Sequence, residues 1–410
     1  MLIDATTADN LNPPSGVWDL STWLYKAYAA HGTPQTFQTT MVEGPHGYNK
    51  EQREFAYAWM LKWLGGDASN FWEEEFPVEK KEDTWCTAQG NVYNESGSRR
   101  PHDLVLDYLQ EHRFRPVTVR TQKDLTRHRN RLEDFVKEIL FLKDMTEAPR
   151  EDTRAPRQVA GLKLTPVILR PEKRIELPSV WIESPNGPAS GPVIVYLNDA
   201  GKIKLSEENV VLRRLLNKGF RIFAVDLRGM GETAPDQKER FWDFLAGRPL
   251  FGQRVRDART VVKYLSQKEG SSARIFIWAK GMSGIYSAFA AILEKVVIGM
   301  VLERPLLSFE EIVTSKVPAY KHEVIVPGIL KKFDLPDVYQ ALCPIDIVLI
   351  NPLAGDKSPV SKRIADDSYQ RTAETYTALN KSDHWSVHTK VATDARADLL
   401  MSAFINTTGE

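Results

Sequence analysis

The sequence predicts an α/β fold built on a doubly wound, mostly parallel sheet, and three observations carry that expectation. Short apolar runs recur at 193–197, 220–225, 274–278, 297–302 and 345–350. Each is too short for a helix and lacks polar alternation, as strands buried on both faces do. Segments of helical spacing lie between them, so strands and helices alternate along the chain. The run "IFIW" breaks into the small-residue turn "AKGMSG" and then into "IYSAFAAI", a sharp passage from strand to helix. Such sheets bind ligands at the carboxyl ends of their strands.

Residues 1–65 read as a fragment of the same alternation. Leu2 and Ile3 form a strand, residues 9–14 a loop, and 19–30 a helix with Trp23, Leu24 and Tyr28 on one face. A second strand at 37–42, the loop "GPHGYN" and a closing helix at 51–64 follow. Two strands and two helices cannot cover both faces of a parallel sheet. The segment therefore reads as the tail of a larger unit, covered by something else. Residues 66–153 read as a linker region, polar and turn-rich, with helices at 103–112 and 123–144. The run "TRHRNR" is expected to be a solvated helix face, and "MTEAPREDTRAPR" a linker.

From 154 to 410 the alternation is complete. It opens with an antiparallel hairpin (159–169 and 174–183), continues with helices at 207–217 and 255–266, and ends with one at 392–404. The two parts echo each other in order: strand, loop, helix, His-bearing segment, closing helix. "NLNPP" (10–14) corresponds in place to Asn351, Pro352 and Leu353, an approximate tandem repeat.

Composition narrows the function. The 410 residues are 42% apolar and 26% charged, with 54 basic and 54 acidic side chains. No net field argues for nucleic acid or a membrane surface, and no apolar run approaches the ~20 residues of a membrane span. Cys86 and Cys343 form no disulfide framework or zinc spacing and could pair only with each other. The eight histidines are scattered, and Gly229-x-Gly231 lacks the third glycine of a phosphate loop. No metal or cofactor is expected. Asp4 and Asp9 follow Met1 with no basic or apolar leader, so any export signal would lie upstream and localisation stays open.

Asp9 in "ATTADNLNPP" and His46 in "VEGPHGYNKEQRE" each follow a strand. They read either as a carboxylate orienting a general base or as a capping Asp beside a solvated His. The stretch "ADNLNPP…GPHGYNKEQREFAYAWMLKWL" resembles the C-terminal end of the acetyl xylan esterase/dienelactone hydrolase-like branch of the α/β-hydrolase superfamily. "EDTWCTAQGNV" and "VPGILKKFDLPDVYQAL" resemble segments of bacterial members with two such domains in tandem. The resemblance covers most of the chain and is most specific at "PHGYN…RE". It implies that Asp9 and His46 complete a triad whose serine lies upstream of Met1, with residues 1–65 ending a first, catalytic domain.

In the second domain "YLNDAGK" places Asn198 and Asp199 where such folds carry oxyanion-hole donors, and the carboxylate of Asp199 suits that role poorly. "VDLRGMGET" reads structurally, with Asp226 and Arg228 paired and Gly229 and Gly231 permitting the turn. At the strand-to-helix turn, Ala279 takes the first glycine position of G-x-S-x-G and Gly281 the nucleophile position, without an attacking atom. The rival register makes Ser283 the nucleophile but puts Ile285 where a small residue is wanted; Ser283 is more simply a cap hydroxyl. The acid position, counted back from Pro359, is Gly355, with Asp356 beside it, and "SDHWSVHTK" offers His384 or His388. Gly281, Asp356 and His384 together read as a degenerate triad, and Lys280 as a ligand-binding candidate.

The expected function is thus part of a serine carboxylic-ester hydrolase of the acetyl xylan esterase type, with a non-catalytic second domain. The alternatives are a pseudoenzyme or binding module without turnover, and a prolyl-oligopeptidase-type serine peptidase. The resemblance implies an acetylated carbohydrate or other small ester as substrate, and the missing upstream part of the first domain as partner.

Overall fold

The computed structural model describes residues 1–95, 97–142, 149–188, 190–234 and 242–408. Their contacts divide into two compact units, Met1–Ser98 and Arg99–Glu410.

The first unit contains β1 (Leu2–Ala8), α1 (Pro14–Ala30), β2 (Gln38–Pro45) and α2 (Lys50–Leu64). The strands pair in parallel, Leu2 opposite Gln38 and Thr6 opposite Val42. β1 outruns the two residues expected because Asp4, Thr6 and Thr7 hide it in a polar sequence; Asp4 accepts a hydrogen bond from Thr40 Oγ1 at 2.8 Å. α1 starts at Pro14, whose fixed φ suits a first helical turn. α2 opens with a reciprocal cap between Asn49 and Gln52 and ends at Gly65, φ 81°. The core is small, with Ala5, Phe37, Val42 and Ala56 buried. Trp18, Leu20, Trp23 and Tyr25 of α1 and Met60, Trp63 and Leu64 of α2 stay exposed. After α2 the described residues up to Ser98 hold only single 3₁₀ turns, Lys81–Thr84 and Val92–Asn94.

The second unit begins with α3 (Pro101–His112) and α4 (Gln122–Ile139). The four sheet strands that follow are β3 (Arg150–Thr153), β4 (Arg157–Val159), β5 (Leu162–Glu172) and β6 (Ile175–Glu183). Then come β7 (Val193–Asn198), α5 (Asn209–Asn217), β8 (Arg221–Val225), the short α6 (Trp242–Leu245) and α7 (Leu250–Glu269). β9 (Ile275–Lys280), α8 (Met282–Leu293), β10 (Val297–Glu303), α9 (Phe309–Thr314) and α10 (Leu335–Leu342) continue the alternation. It closes with β11 (Asp346–Ile350), α11 (Lys362–Ala378), β12 (Trp385–His388) and α12 (Thr393–Thr408).

The ten-stranded sheet runs β12-β11-β10-β9-β7-β8-β6-β5-β3, with β4 on β5. β7 to β12 are parallel to one another, while β3 to β6 join antiparallel. "Mostly parallel" thus holds for one half of the sheet and needs correcting for the other. The sheet is doubly wound: Ile275, Ile277 and Ala279 of β9 face the cluster shared by α7, α8 and α10, and Phe276 and Trp278 face the one shared by α5 and α12. This two-residue alternation inside an all-apolar run is the mark of a strand buried on both faces.

Two expectations for the stretch before the sheet are corrected. α4 is a core helix rather than linker: Leu125, His128, Leu132 and Val136 are buried at helical spacing. The run "TRHRNR" is not simply solvated, since His128 Nε2 donates to Asp337 O at 3.0 Å and Arg129 Nε to Ala341 O at 2.9 Å. These two donors tie α4 to carbonyls of α10. Residues 143 and 144, the expected end of this helix, lie outside the described residues. Part of the expected linker pairs as β3 and β4, polar edge strands without an alternation to reveal them.

The buried carboxylate of Asp334 joins two helices, accepting from Phe309 N at 2.7 Å at the start of α9 and from Leu335 N at 2.6 Å at the start of α10. Burial pushes it up to about 7, against the opposing pull of these backbone donors. Its unfolded value is near 3.9. Between about 4 and 7 the folded chain keeps a proton that the unfolded chain has released, so this group's contribution to stability falls as pH rises through that window. Melting the wild type and Asp334→Asn from pH 4 to 8 should show the wild type losing ground to the variant up to pH 7 and no further; a difference flat with pH would refute the assignment.

Candidate active site

The register fixes a common row at the carboxyl edge: Asn198 lies opposite Lys280, Lys280 opposite Glu303, Glu303 opposite Ile350, and Ile350 opposite His388. Directly beyond Lys280 the chain turns at Gly281, with φ 71° and ψ −140°, and enters α8. This backbone region is almost restricted to glycine. Gly284 lies in the first turn of α8, where a Cβ would sit 3.4 Å from the Leu302 side chain, within ordinary contact distance.

The position that an attacking side chain would need at Gly281 is filled. A Cβ built there would overlap Asp199 Oδ2 and come within 2.8 Å of Asp199 Cγ. Asp199 accepts from Met282 N (2.8 Å) on one oxygen and from Ser283 N and Ser283 Oγ (both 2.8 Å) on the other. The first backbone donors of α8, which could otherwise steady an oxyanion, are therefore committed to a carboxylate of the same chain. Burial raises the Asp199 carboxyl above its usual range, while these hydrogen bonds pull the other way. Ser283 is fully buried and its hydroxyl is spent on Asp199, so the structure offers no exposed serine in the rival register. Asn198 turns its amide to Tyr196 OH at 3.0 Å and its oxygen to Ala200 N at 2.9 Å, which shapes the loop.

The remaining expected partners are not brought together. A Cβ at Gly355 would overlap the carbonyl oxygen of Glu311, so no acid side chain fits that position. Asp356 is exposed and accepts from Ser358 N at 2.8 Å, and its hydrogen bonds from Ser358 hold its carboxyl below the usual range. His384 precedes β12 and pairs with Asp346, at the amino end of β11. It therefore lies at the edge of the sheet opposite Gly281, roughly 13 Å below the carboxyl row by strand rise alone. His388 stands in that row, three ladder steps from Lys280; its Nε2 contacts Ser386 Oγ at 3.1 Å, and burial lowers it. The two histidines that sequence position leaves as alternatives are separated by β12, a strand that spans the sheet beside β11.

Two further readings are revised. Asp226 and Arg228 do not pair: Asp226 takes Lys202 Nζ at 2.7 Å, and Arg228 clamps Asp257 with Nε at 2.8 Å and Nη2 at 2.6 Å. Gly229 and Gly231 do adopt positive φ, 71° and 53°. Lys280 belongs to an ionic cluster rather than an open site. It pairs with Glu208 and lies 3.7 Å from Glu303, while Arg396 joins both acids and Trp278 Nε1 donates to Glu303 at 2.6 Å. Sequence reading ended the strand at 302 and missed Glu303, a lone acid closing an apolar run. Both cysteines are free, Cys86 exposed and Cys343 buried. Among the described residues no cluster of His, Cys, Asp or Glu could hold a metal ion, and no helix is long and apolar enough to cross a membrane.

In the first unit, the loops after β1 and β2 bring Asp9 and His46 together. His46 Nδ1 donates to Asp9 Oδ2 at 2.9 Å. Leu11 N (2.7 Å) and Asn12 N (2.9 Å) fix the other oxygen. The bond from His46, then those from the backbone, hold the Asp9 carboxyl well below the usual range. An ionised, nearly buried carboxylate thus fixes the ring of a half-exposed histidine with Nε2 outward of the pair. This is the orientation a general base requires.

Comparison with known proteins bears on the fold. The chain matches no family profile. Two multifunctional-autoprocessing repeats-in-toxin proteins match part of it. That of Vibrio cholerae is 27% identical over 146 residues, and that of Vibrio vulnificus 26% identical over 153. The matches cover 34% and 36% of this chain and only 3% of each toxin's own length. Among solved structures, a Bacteroides fragilis protein assigned as an acetyl xylan esterase superposes with a TM-score of 0.58 at 15% identity. It covers 72% of this chain and 84% of its own. With the strand order and the strand-to-helix turn described above, this likeness shows that the chain carries an α/β-hydrolase fold.

Proposed function

We propose that the second unit is a hydrolase fold without turnover, and that Asp9 and His46 are the acid–base half of a carboxylic-ester hydrolase site. The observation that carries the reading is the Asp199 carboxylate, which lies in the space a nucleophile at Gly281 would occupy and takes the α8 donors. The buried hydroxyl of Ser283 and the separation of Asp356 from His384 support it. The esterase-like fold agrees with a carboxylic ester as the substrate class, an acetylated carbohydrate being the specific form.

In that chemistry His46 Nε2 accepts the proton of a serine hydroxyl as its oxygen bonds to the acyl carbon. The same nitrogen returns the proton to the leaving alcohol as the ester C–O bond breaks. Water, deprotonated by His46, then releases the acid and frees the serine. Asp9 holds Nδ1–H throughout and stabilises the imidazolium. Among the hydrogen bonds of the described residues, His46 pairs with Asp9 and with no serine, and this chemistry requires a hydroxyl in addition.

Two measurements test the reading. A fluorophosphonate probe followed by intact mass should leave the chain unlabelled, with no hydrolysis of p-nitrophenyl acetate above the His-buffer background; an adduct on Ser283 would overturn the proposal. Gly281→Ser should lose about 2–4 kcal/mol from backbone strain and overlap with Asp199. Asp199→Gly should lose a similar amount through the unpaired α8 donors. The double variant should be more stable than the sum of the two predicts by at least about 1 kcal/mol, since each change relieves the other's conflict. Strict additivity would show that Asp199 does not hold that space.

A further inference from the structure

We infer that the second unit binds a small amphiphile, an unbranched carboxylate of about eight carbons in all, in a cavity away from the Gly281 turn. The cavity measures about 250 Å³ and lies between α3, α9 and the segment 324–331. Its lining is almost wholly apolar, with Leu109, Phe309, Ile312, Val324, Val326 and Ile329 among the walls. Phe309, Val324, Val326 and Ile329 are buried, whereas Val105, Tyr108 and Ile325 at the rim are about half exposed. The volume exceeds the about 150 Å³ apolar cavity that takes benzene and falls below the about 300 Å³ at which drug-sized sites begin. At about 30 Å³ per water-sized group, it holds roughly eight heavy atoms.

The cavity is built rather than incidental, because polar bonds pin α3 and the residues after it across it. His102 Nε2 donates to Val313 O at 2.8 Å, Phe114 N to Leu330 O at 3.0 Å, and Arg113 pairs with Glu310 at 2.7 Å. These contacts hold the helix over the apolar floor without filling it.

Charge at the rim selects the head group. Lys331 lines the cavity, and its Nζ donates to the Tyr108 hydroxyl at 2.5 Å and lies 4.9 Å from that ring's centroid. Lys331 is exposed, and among the described residues its ammonium meets the Tyr108 hydroxyl and ring and no carboxylate. The Tyr108 ring is itself stacked on His112, centroids 4.0 Å apart, which fixes the rim. An unneutralised cation at the mouth of an apolar cavity favours a ligand that brings an anion on an apolar tail.

Sodium octanoate titrated into the full chain and followed by calorimetry tests this. Binding should saturate, and affinity should rise about fourfold per methylene from butanoate to octanoate, then level off as the cavity fills. Lys331→Gln should weaken octanoate about two- to fivefold and leave octan-1-ol unchanged. Leu109→Trp, which fills the cavity, should abolish both with the circular dichroism spectrum intact. No saturation below about 10 mM, no dependence on chain length, or octanoate binding indifferent to Lys331→Gln would overturn the proposal. The chain-length series and Lys331→Gln decide the matter should Leu109→Trp fail to fold.

Discussion

The hydrogen bonds from Met282 and Ser283 to Asp199 are the constraint on which the centre of the second unit depends. α8 is buried from Met282 to Ile292, so its first amide groups have no water to turn to. A carboxylate is the strongest acceptor a helix start can be given, through both its hydrogen bonds and the helix dipole. It reaches those groups only because Gly281 leaves a side chain's worth of space. α8 then packs on α4, α7 and α10, and much of the core on that face of the sheet is organised around it.

The same residue type meets opposite environments in the two units. Asp9 is nearly buried, yet it is held low by His46 and by two backbone donors and remains an anion beside a usable imidazole. Asp199 has comparable backbone donors but no histidine partner, and desolvation of its carboxyl pushes its proton affinity up although the residue keeps exposed surface. The bond from His46 is the largest influence on Asp9 and desolvation the largest on Asp199, and that difference sets the two carboxyls apart. The end of the second unit, β11-α11-β12-α12, repeats the order of β1-α1-β2-α2 with parallel strands in each. Between these like-ordered segments, the loop acid and the strand-end histidine meet only in the first.

Much of the fold was legible because it rests on local pattern. The apolar runs at 193–197, 220–225 and 274–278 became β7, β8 and β9 with ends shifted by one or two residues. α11 escaped because its buried face is built from Ala365, Tyr369, Thr372 and Tyr376, too polar to show an apolar stripe. β3 escaped because "REDT" is an exposed edge with no alternation. At the site, the Gly281 turn was legible since turn chemistry is written in adjacent residues. The role of Asp199 was not, because its partners lie 83 and 84 positions away. Likewise the pairing of Arg228 with Asp257 rather than Asp226 depends on where α7 docks, which no spacing rule encodes.

The overlap between Gly281 and Asp199 also has a consequence for substitution at this turn. A serine introduced at 281 would meet the carboxylate, and a carboxylate removed at 199 would strand the amides it serves. Each single step toward a working nucleophile therefore passes through a less stable protein, and only the pair together escapes the conflict. The blocked Gly355 position adds a third such lock, since an acid there would have to displace main chain of α9. At this turn single substitutions are therefore penalised and only coupled ones pass, so its sequence is tied together in a way that the separate positions do not show.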